Sequence, residues 1–244
     1  MKVVLENPGL VLVSHGKTGT SEIIPGKVYC DDPNYSEKNR SYTTSQSMLY
    51  NGVRKDVLYR QAIMRRPPNN GVGYIIDLAE ITIPGGVIRV DRSRLAFEYE
   101  LTLGHFGMPH LNGKKAVINQ FEEGSKKVIT ASISGRGIAL ISYNGWDTLE
   151  SLVHSNRNAE ADESTVIYAH KKRLAKNPAM ELMITVLLHK MDDSEWTEEE
   201  LSPIRDITIM DITPSYSALG ATITLYNNEK YKIDFKDIDG KRTC

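Results

Sequence analysis

The stretch that decides the fold is ATITLYNNEKYKIDF at residues 221–235. Apolar or aromatic side chains occupy every second position on both sides of a central Asn-Asn pair: Ala221, Ile223 and Leu225 before it, and Tyr231, Ile233 and Phe235 after it. The positions between them carry mostly Thr, Lys and Asp. A period of two is typical of a β-strand with one face in water, and Asn residues favour a tight turn. The stretch therefore predicts an antiparallel hairpin.

The same period recurs along the whole chain and predicts a dozen or more strands. Further strands are predicted at 10–15, 41–50, 57–65, 73–81, 86–92, 95–103, 127–133, 137–143, 164–171, 180–189 and 204–212. Turn residues separate them, among them Pro-Gly-Gly at 84–86 and Asn-Gly at 144–145. The polar, glycine-rich segment 104–126 is predicted to be a long connection.

Helix signals are confined to DSEWTEEELS at 193–202, where Ser194 or Thr197 precedes acidic residues and predicts one or two helical turns. The sequence thus predicts an all-β fold with almost no helix. We expect one large antiparallel β-sandwich spanning residues 1–244.

Composition excludes several classes of partner. The 244 residues carry 30 basic and 31 acidic side chains without a basic stripe, which argues against nucleic acid binding. Cys30 and Cys244 form neither a disulfide framework nor a metal spacing, so we expect free thiols, no metal and no cofactor. We also find no signal peptide and no run long enough to cross a membrane, which predicts a cytoplasmic protein without membrane contact.

The segment HSNRNAEADES at 154–164 is the densest group of polar side chains and the first candidate site. Its candidate ligand-binding residues are Asn156, Arg157, Asn158, Glu160 and Glu163. A guanidinium can make two parallel hydrogen bonds to a carboxylate, and glycoside hydrolysis uses a pair of carboxylates. The alternative is an ordered loop, fixed by its own Asn and Asp side chains or packed against a neighbouring domain.

Two further motifs carry candidate residues. HFGMPH places His105 and His110 five residues apart in a predicted exposed loop, but zinc would need a third ligand that the sequence does not place nearby. ISYNGWD at 141–147 places Trp146 beside an Asn-Gly turn, where its ring could stack on a sugar or cover the edge of the core. HGKTGTS at 15–21 lacks the spacing of a phosphate-binding loop and predicts a β-turn.

Five stretches follow one another in an order that resembles a known domain: VLYRQAIMRRP, IPGGVIRVDR, GHFGMPHL, ISYNGWD and RNAEADESTVIYA. They resemble the C-terminal β-supersandwich of a bacterial family of formerly unknown function from glycan-utilisation gene clusters. Members of that family usually carry an (α/α)6 toroid before the sandwich, and relatives with this build include heparinase-like and chondroitin-lyase-like enzymes. Some members resemble exo-acting glucuronidases. The toroid, which holds most catalytic groups in such families, is absent from this chain, so the resemblance transfers no catalytic residue.

The resemblance implies an auxiliary, non-catalytic portion of a glycoside hydrolase-like protein that acts on an acidic glycan. The partners it implies are a helical toroid domain or chain and an acidic oligosaccharide, and we also expect self-association into a homo-oligomer. Two alternatives remain open. The chain could be a stand-alone carbohydrate-binding or assembly module, or it could be catalytic alone through His105, His110 and the carboxylates at 160–163.

Overall fold

The computed structural model describes a series of strands and several of their connections. The described residues are 2–6, 11–15, 20–24, 27–31, 41–43, 45–65, 73–93, 99–109, 116–132, 135–155, 163–173, 181–192, 194–210 and 220–238. Within them, the structure contains β-strands, turns and one 3₁₀ turn at Phe235–Asp237. The predicted all-β fold is therefore confirmed.

The largest sheet has eight strands, all of them antiparallel to their neighbours. These strands are β6 (Ser45–Arg54), β7 (Val57–Arg65), β8 (Gly73–Ile83), β9 (Gly86–Ser93), β11 (Val117–Glu123), β12 (Lys126–Ser132), β13 (Gly137–Asn144) and β16 (Glu181–Lys190). Their spatial order is β11-β12-β13-β16-β9-β8-β7-β6. Both β11 and β6 are thus edges of this sheet.

A second sheet has six strands: β1 (Lys2–Glu6), β4 (Lys27–Asp31), β5 (Ser41–Thr43), β10 (Tyr99–Pro109), β14 (Thr148–Ser155) and β15 (Glu163–Arg173). Their order is β14-β15-β10-β1-β4-β5, and β1 runs parallel to β10, which departs from the purely antiparallel prediction. Two further strands, β2 (Val11–His15) and β3 (Thr20–Ile24), pair with each other. The last three strands form a three-stranded sheet: β17 (Ile204–Met210), β18 (Gly220–Leu225) and β19 (Lys230–Asp234).

The three-stranded sheet packs its alternating apolar side chains against one face of the eight-stranded sheet. Ile223, Ile233 and Phe235 are fully buried in one cluster with Ile88 and Val186 of that sheet.

This arrangement explains the period of two, because Lys230 and Lys232 on the opposite face of β19 are exposed to water. On the opposite face of β18, Thr222 is half-buried and Thr224 is buried. The predicted hairpin is confirmed. Residues 226–229 join its strands, and the Asn228 amide donates a hydrogen bond to the Leu225 carbonyl at 3.0 Å across the turn.

The other face of the eight-stranded sheet is also buried. Ile129, Leu140 and Met183 lie on it with at most 1% of their surface exposed, and Gln120 donates a hydrogen bond from Nε2 to the carbonyl of Leu149 in β14 at 3.1 Å. The eight-stranded sheet is thus the middle layer of three. Two buried faces explain why MELMITVLLH at 180–189 does not alternate, since every residue from 182 to 188 is buried.

Some of the described strands were not predicted, and the prediction of one long connection at 104–126 was wrong. The structure adds β1, β3, β4, β11 and β14. The segment 104–126 is not one connection, because residues 104–109 belong to β10 and residues 117–123 form β11. β11 lacks apolar alternation because nearly all its side chains are exposed at the edge of the sheet.

The predicted helical turn at 193–202 is present as a single capped turn. Thr197 accepts a hydrogen bond at Oγ1 from the Glu200 amide, and the Thr197 amide donates to the Glu200 carboxylate at 2.8 Å. This reciprocal pair is a capping box. The Leu201 amide donates to the Thr197 carbonyl and closes the turn. No helix in the described part of the chain combines the length and hydropathy needed to cross a membrane.

Candidate functional site

The structure brings two of the candidate segments to one end of the six-stranded sheet. His154 in β14 pairs with Ser164 in β15, which in turn pairs with Pro109 in β10. The next pair outward is Ser155 with Glu163. Neighbouring strands lie about 4.8 Å apart, so the ends of β14, β15 and β10 form one short edge. We call this edge, made of Pro109, His154, Ser155, Glu163 and Ser164, the β15 rim.

Several of the candidate residues are adjacent in sequence to the β15 rim. His110 follows Pro109 directly in the chain, and residues 156–162 connect Ser155 to Glu163. His110, Asn156, Arg157, Asn158 and Glu160 themselves lie outside the described residues, so their roles stay predictions. The described ends of two segments far apart in sequence, at Pro109 and Ser164, are nevertheless paired with each other.

His105 does not lie in an exposed loop, as the sequence predicted, but inside β10. The register between β10 and β15 shifts between Gly104 and Phe106, so His105 is the extra residue of a β-bulge. A bulge leaves one residue unpaired and bends the strand locally. Gly104 and Gly107 are typical of a loop, but in the structure both pair with residues of β15.

Trp146 lies far from the β15 rim. It precedes β14, whose eight residues span roughly 25 Å, whereas the rim lies at the other end of that strand. Only 5% of Trp146 is exposed. The preceding Asn144-Gly145 turn is held by a hydrogen bond from Asn144 Nδ2 to the Leu182 carbonyl at 2.8 Å. The structure therefore does not bring Trp146 to the β15 rim.

The described interior contains a charged cluster that sequence reasoning missed. Arg92 Nε donates to Asp77 Oδ2 at 2.6 Å, and neither side chain is exposed. Gln61 Nε2 donates to the other oxygen, Oδ1, at 2.8 Å. The Arg92 guanidinium also lies over the Phe235 ring, 4.5 Å from its centroid. Asp77 lies on the same face of β8 as Ala79 and Ile81. A charged residue at a position where the alternation places apolar side chains was therefore the feature of the sequence that could have indicated this cluster.

A second buried ion pair lies on the opposite face of the same sheet. Arg89 donates to Asp91 through Nε at 2.9 Å and through Nη2 at 2.8 Å. Burial raises the pKa of Asp91 above its ordinary value, although Arg89 opposes the shift. Burial alone would lower the pKa of Arg89, but Asp91 and Glu80 outweigh it and the pKa is raised. Both buried carboxylates are therefore bound to arginines inside the sandwich.

No protein-family model and no curated protein matches the sequence. Among solved structures, a heparinase III gene product with methylated lysines superposes with a TM-score of 0.51 at 9% identity, over 95% of this chain and 40% of that chain. This chain shares its fold with part of that heparinase III. A mutant of the heparan sulfate lyase HepC from Pedobacter heparinus gives a TM-score of 0.48 at 10% identity, over 91% of this chain and 38% of that chain.

The resemblance inferred from the sequence is thereby confirmed for the fold. The chain spans about two fifths of the length of these heparinase chains. Among the described side chains, no three His, Cys, Asp or Glu residues are grouped so that they could hold a metal ion.

Tyr143 allows a test of the packing between the middle layer and the start of β17. Burial raises its pKa to about 12, against the opposing hydrogen bond from the Ile204 amide, and Tyr226 and Glu123 raise it further. Its pKa in the folded state lies above the unfolded value of 10.0, so its contribution to stability is complete below pH 10 and is lost as the pH rises from 10 through 12. We expect the free energy of unfolding of the wild type to fall over this range by about 2 kcal/mol more than that of Tyr143→Phe. Urea denaturation at several pH values measures this difference, and parallel curves for the two proteins would contradict it.

Proposed function

We propose that this chain is the β-sandwich part of a carbohydrate-active protein that degrades an acidic polysaccharide. The observation that carries the proposal is the fold shared with a heparinase III over 95% of this chain but only 40% of that chain. Because this chain covers only 40% of the heparinase chain, we propose that it works beside a second, larger unit of the same protein or complex. We propose that this larger unit is the helical toroid implied by the sequence resemblance, and that it supplies the catalytic groups.

An auxiliary role agrees with the finding that the described carboxylates in the interior are buried and bound to arginines. Asp77 is fully buried and Asp91 is 2% exposed, and each is bound to an arginine. A general acid or base must reach the proton that it transfers within hydrogen-bond distance. Neither carboxylate is placed to reach a substrate outside the sandwich, which favours binding or positioning over catalysis.

The reaction class of the parent protein is a separate question. The sequence resemblance implied a glycoside hydrolase-like protein, whereas the similar solved structures are named heparinase III and heparan sulfate lyase. We therefore propose an acidic glycan as the substrate class without assigning hydrolysis or elimination. The β15 rim is the proposed place where the glycan or the larger unit docks.

Heparan sulfate tests the proposal directly. We expect the purified chain to bind heparan sulfate oligosaccharides without cleaving them, and to leave aryl glucuronides intact. Product formation is followed by the ultraviolet absorbance of unsaturated uronates for elimination, and by the released aryl group for hydrolysis. Turnover that persists through repurification and is lost in Glu163→Gln would contradict an auxiliary role. Absence of any binding to acidic glycans would contradict the substrate class.

Arg157 is the most informative single position in the segment beside the β15 rim. We expect Arg157→Lys to weaken binding of an acidic glycan, or of the larger unit, several-fold, because lysine cannot reproduce the two parallel hydrogen bonds of a guanidinium. We expect the free energy of unfolding to stay within about 0.5 kcal/mol of the wild type. Titration and thermal melting measure the two quantities.

The matched control is Arg205→Lys, which makes the same change at an exposed position of β17. It should leave glycan binding unchanged. If Arg157→Lys melts early and loses no binding beyond the loss of folded protein, Arg157 fixes its own loop and the docking hypothesis fails.

A further inference from the structure

The edge strand β11 leaves one side of its backbone unpaired in the described part of the chain, where β12 is its only neighbouring strand. Ile118 is half-buried, and every other residue of β11 is exposed. Side chains on both faces of the strand are therefore in solvent, so neither outer layer covers this edge. The unpaired N–H and C=O groups of such an edge can pair with a further strand.

β11 lacks the features that protect an edge strand from pairing. Residues 117–121 carry no charge and no proline, and the register between β11 and β12 is unbroken. Val117 is 61% exposed and Phe121 is 43% exposed. The opposite edge strand, β6, has a register shift between Met48 and Tyr50, and such an irregularity disrupts edge pairing. Of the two edges of the eight-stranded sheet, β11 is therefore the one suited to pair with another strand.

The sequence of β11 is complementary to itself in one antiparallel register. When Asn119 lies opposite Asn119 of a second copy, Val117 of each copy lies opposite Phe121 of the other. These three positions are on one face of the strand, because side chains alternate between faces. Directly opposed side chains on one face are in contact. A two-fold axis at Asn119 relates the copies, so each contact between unlike residues occurs twice.

Charge complementarity favours the same register. Glu123 then lies opposite Lys115, which precedes Val117 by two positions in the sequence. The Glu123 side chain is 63% exposed even though Lys126 Nζ lies 2.7 Å from its Oε2, so a second lysine has access to it. Sliding the copies by two residues places Val117 opposite Glu123 in one direction and Lys115 opposite Phe121 in the other. Opposite charges across a strand pair stabilise it, whereas a charge facing an apolar side chain gains no such contact.

We propose that β11 pairs with β11 of a second copy of this chain and joins the two eight-stranded sheets into one continuous sheet. Backbone hydrogen bonds along the strand hold the copies together. The contacts between Val117 and Phe121 and the ion pairs between Glu123 and Lys115 set the register. One strand pair buries less area than a standard protein interface, so monomer and dimer are in equilibrium. This surface is separate from the β15 rim and does not depend on glycan binding there.

Analytical ultracentrifugation at concentrations up to about 1 mM measures the association, because a small interface binds weakly. We expect a concentration-dependent dimer of the wild type. Val117→Lys should weaken the dimer about tenfold or more, since it places a charge opposite Phe121 of the second copy. The matched control is Val53→Lys, the same change at a position with 64% exposure in the other edge strand, β6. It should leave the association unchanged.

A cysteine at the two-fold axis tests the register. Opposed Cα atoms of an antiparallel pair lie about 4.5–5.5 Å apart, within the range that a disulfide spans. Mild oxidation of Asn119→Cys should therefore give a covalent dimer. Gln120→Cys, whose opposed residue is Ile118, should give no more covalent dimer than the wild type, which carries Cys30 and Cys244.

Charge reversal tests the ion pairs. Glu123→Lys should weaken the dimer, because it faces Lys115 of the second copy, and Glu123→Lys combined with Lys115→Glu should restore it. A monomer at about 1 mM would overturn the proposal, as would a dimer that Val117→Lys leaves intact or that Val53→Lys abolishes. Equal crosslinking of Asn119→Cys and Gln120→Cys, or a double charge variant that stays weak, would overturn the register. Heparan sulfate binding tests the proposed function separately, so either proposal can fail without the other.

Discussion

Asp77→Ala is expected to lower the free energy of unfolding by about 3–5 kcal/mol, because it leaves the buried Arg92 charge without its carboxylate. The ion pair is completely buried, with 2.6 Å between Arg92 Nε and Asp77 Oδ2. Gln61 would also lose its acceptor at Asp77 Oδ1. Urea denaturation monitored by tryptophan fluorescence measures the change.

Two variants test whether the burial of the charge is the cause. Asp206→Ala removes an exposed carboxylate from β17 and should change the free energy of unfolding by no more than about 0.5 kcal/mol. The double variant Asp77→Leu with Arg92→Met replaces both charges by apolar side chains and should recover most of the lost stability. A double variant as unstable as Asp77→Ala would mean that the pair acts by its specific geometry rather than by its charge.

Phe235→Ala should lower the free energy of unfolding by a similar amount, about 3–5 kcal/mol. Phe235 is fully buried and its ring meets Tyr59 edge to face, with 5.9 Å between the ring centroids. The Tyr59 hydroxyl in turn accepts a hydrogen bond from the Asp234 amide at 3.0 Å. These contacts join the three-stranded sheet to the middle layer, so a cavity here weakens the attachment of the whole outer sheet.

Phe235→Leu is the matched variant, because it keeps most of the apolar volume but removes the ring. We expect a clearly smaller loss, and the remaining difference from the wild type reports the contacts of the ring with Tyr59 and Arg92. The measurement is chemical denaturation of the two variants side by side. A loss of under about 1 kcal/mol in Phe235→Ala would contradict the packing of the three-stranded sheet on the eight-stranded sheet.

The fold class was readable from the sequence where one face of a strand meets water. In 221–235 the alternation fixed the strands, the turn and the buried face, because the solvent itself imposes a period of two. β16 was predicted as a strand together with the others, although both of its faces are buried and its apolar residues do not alternate. The edge strand β11 was missed, since it exposes almost every side chain and carries no alternation for a sequence to show. β1 and β4, which lie inside the six-stranded sheet, were missed as well.

The candidate site was only partly readable. The sequence indicated the polar segment at 154–164 and the histidines, but it placed His105 in a loop, whereas β10 holds it at a bulge. It grouped His110 with the carboxylates at 160–163 only as one open alternative. Pairing between β10 and β15 places Pro109, the residue before His110, opposite Ser164, and such pairing joins strands more than fifty residues apart in the chain.

The sequence by itself determined that this protein is built from strands, because local alternation and turn residues depend only on neighbouring positions. The tertiary structure decided which strands are neighbours, that the eight-stranded sheet lies between two others, and that Asp77 meets Arg92 and Phe235 in its interior. A buried charge is stable only with a partner, and that partner is chosen by strand order and register. Both depend on contacts between distant segments, which no local pattern in the sequence records.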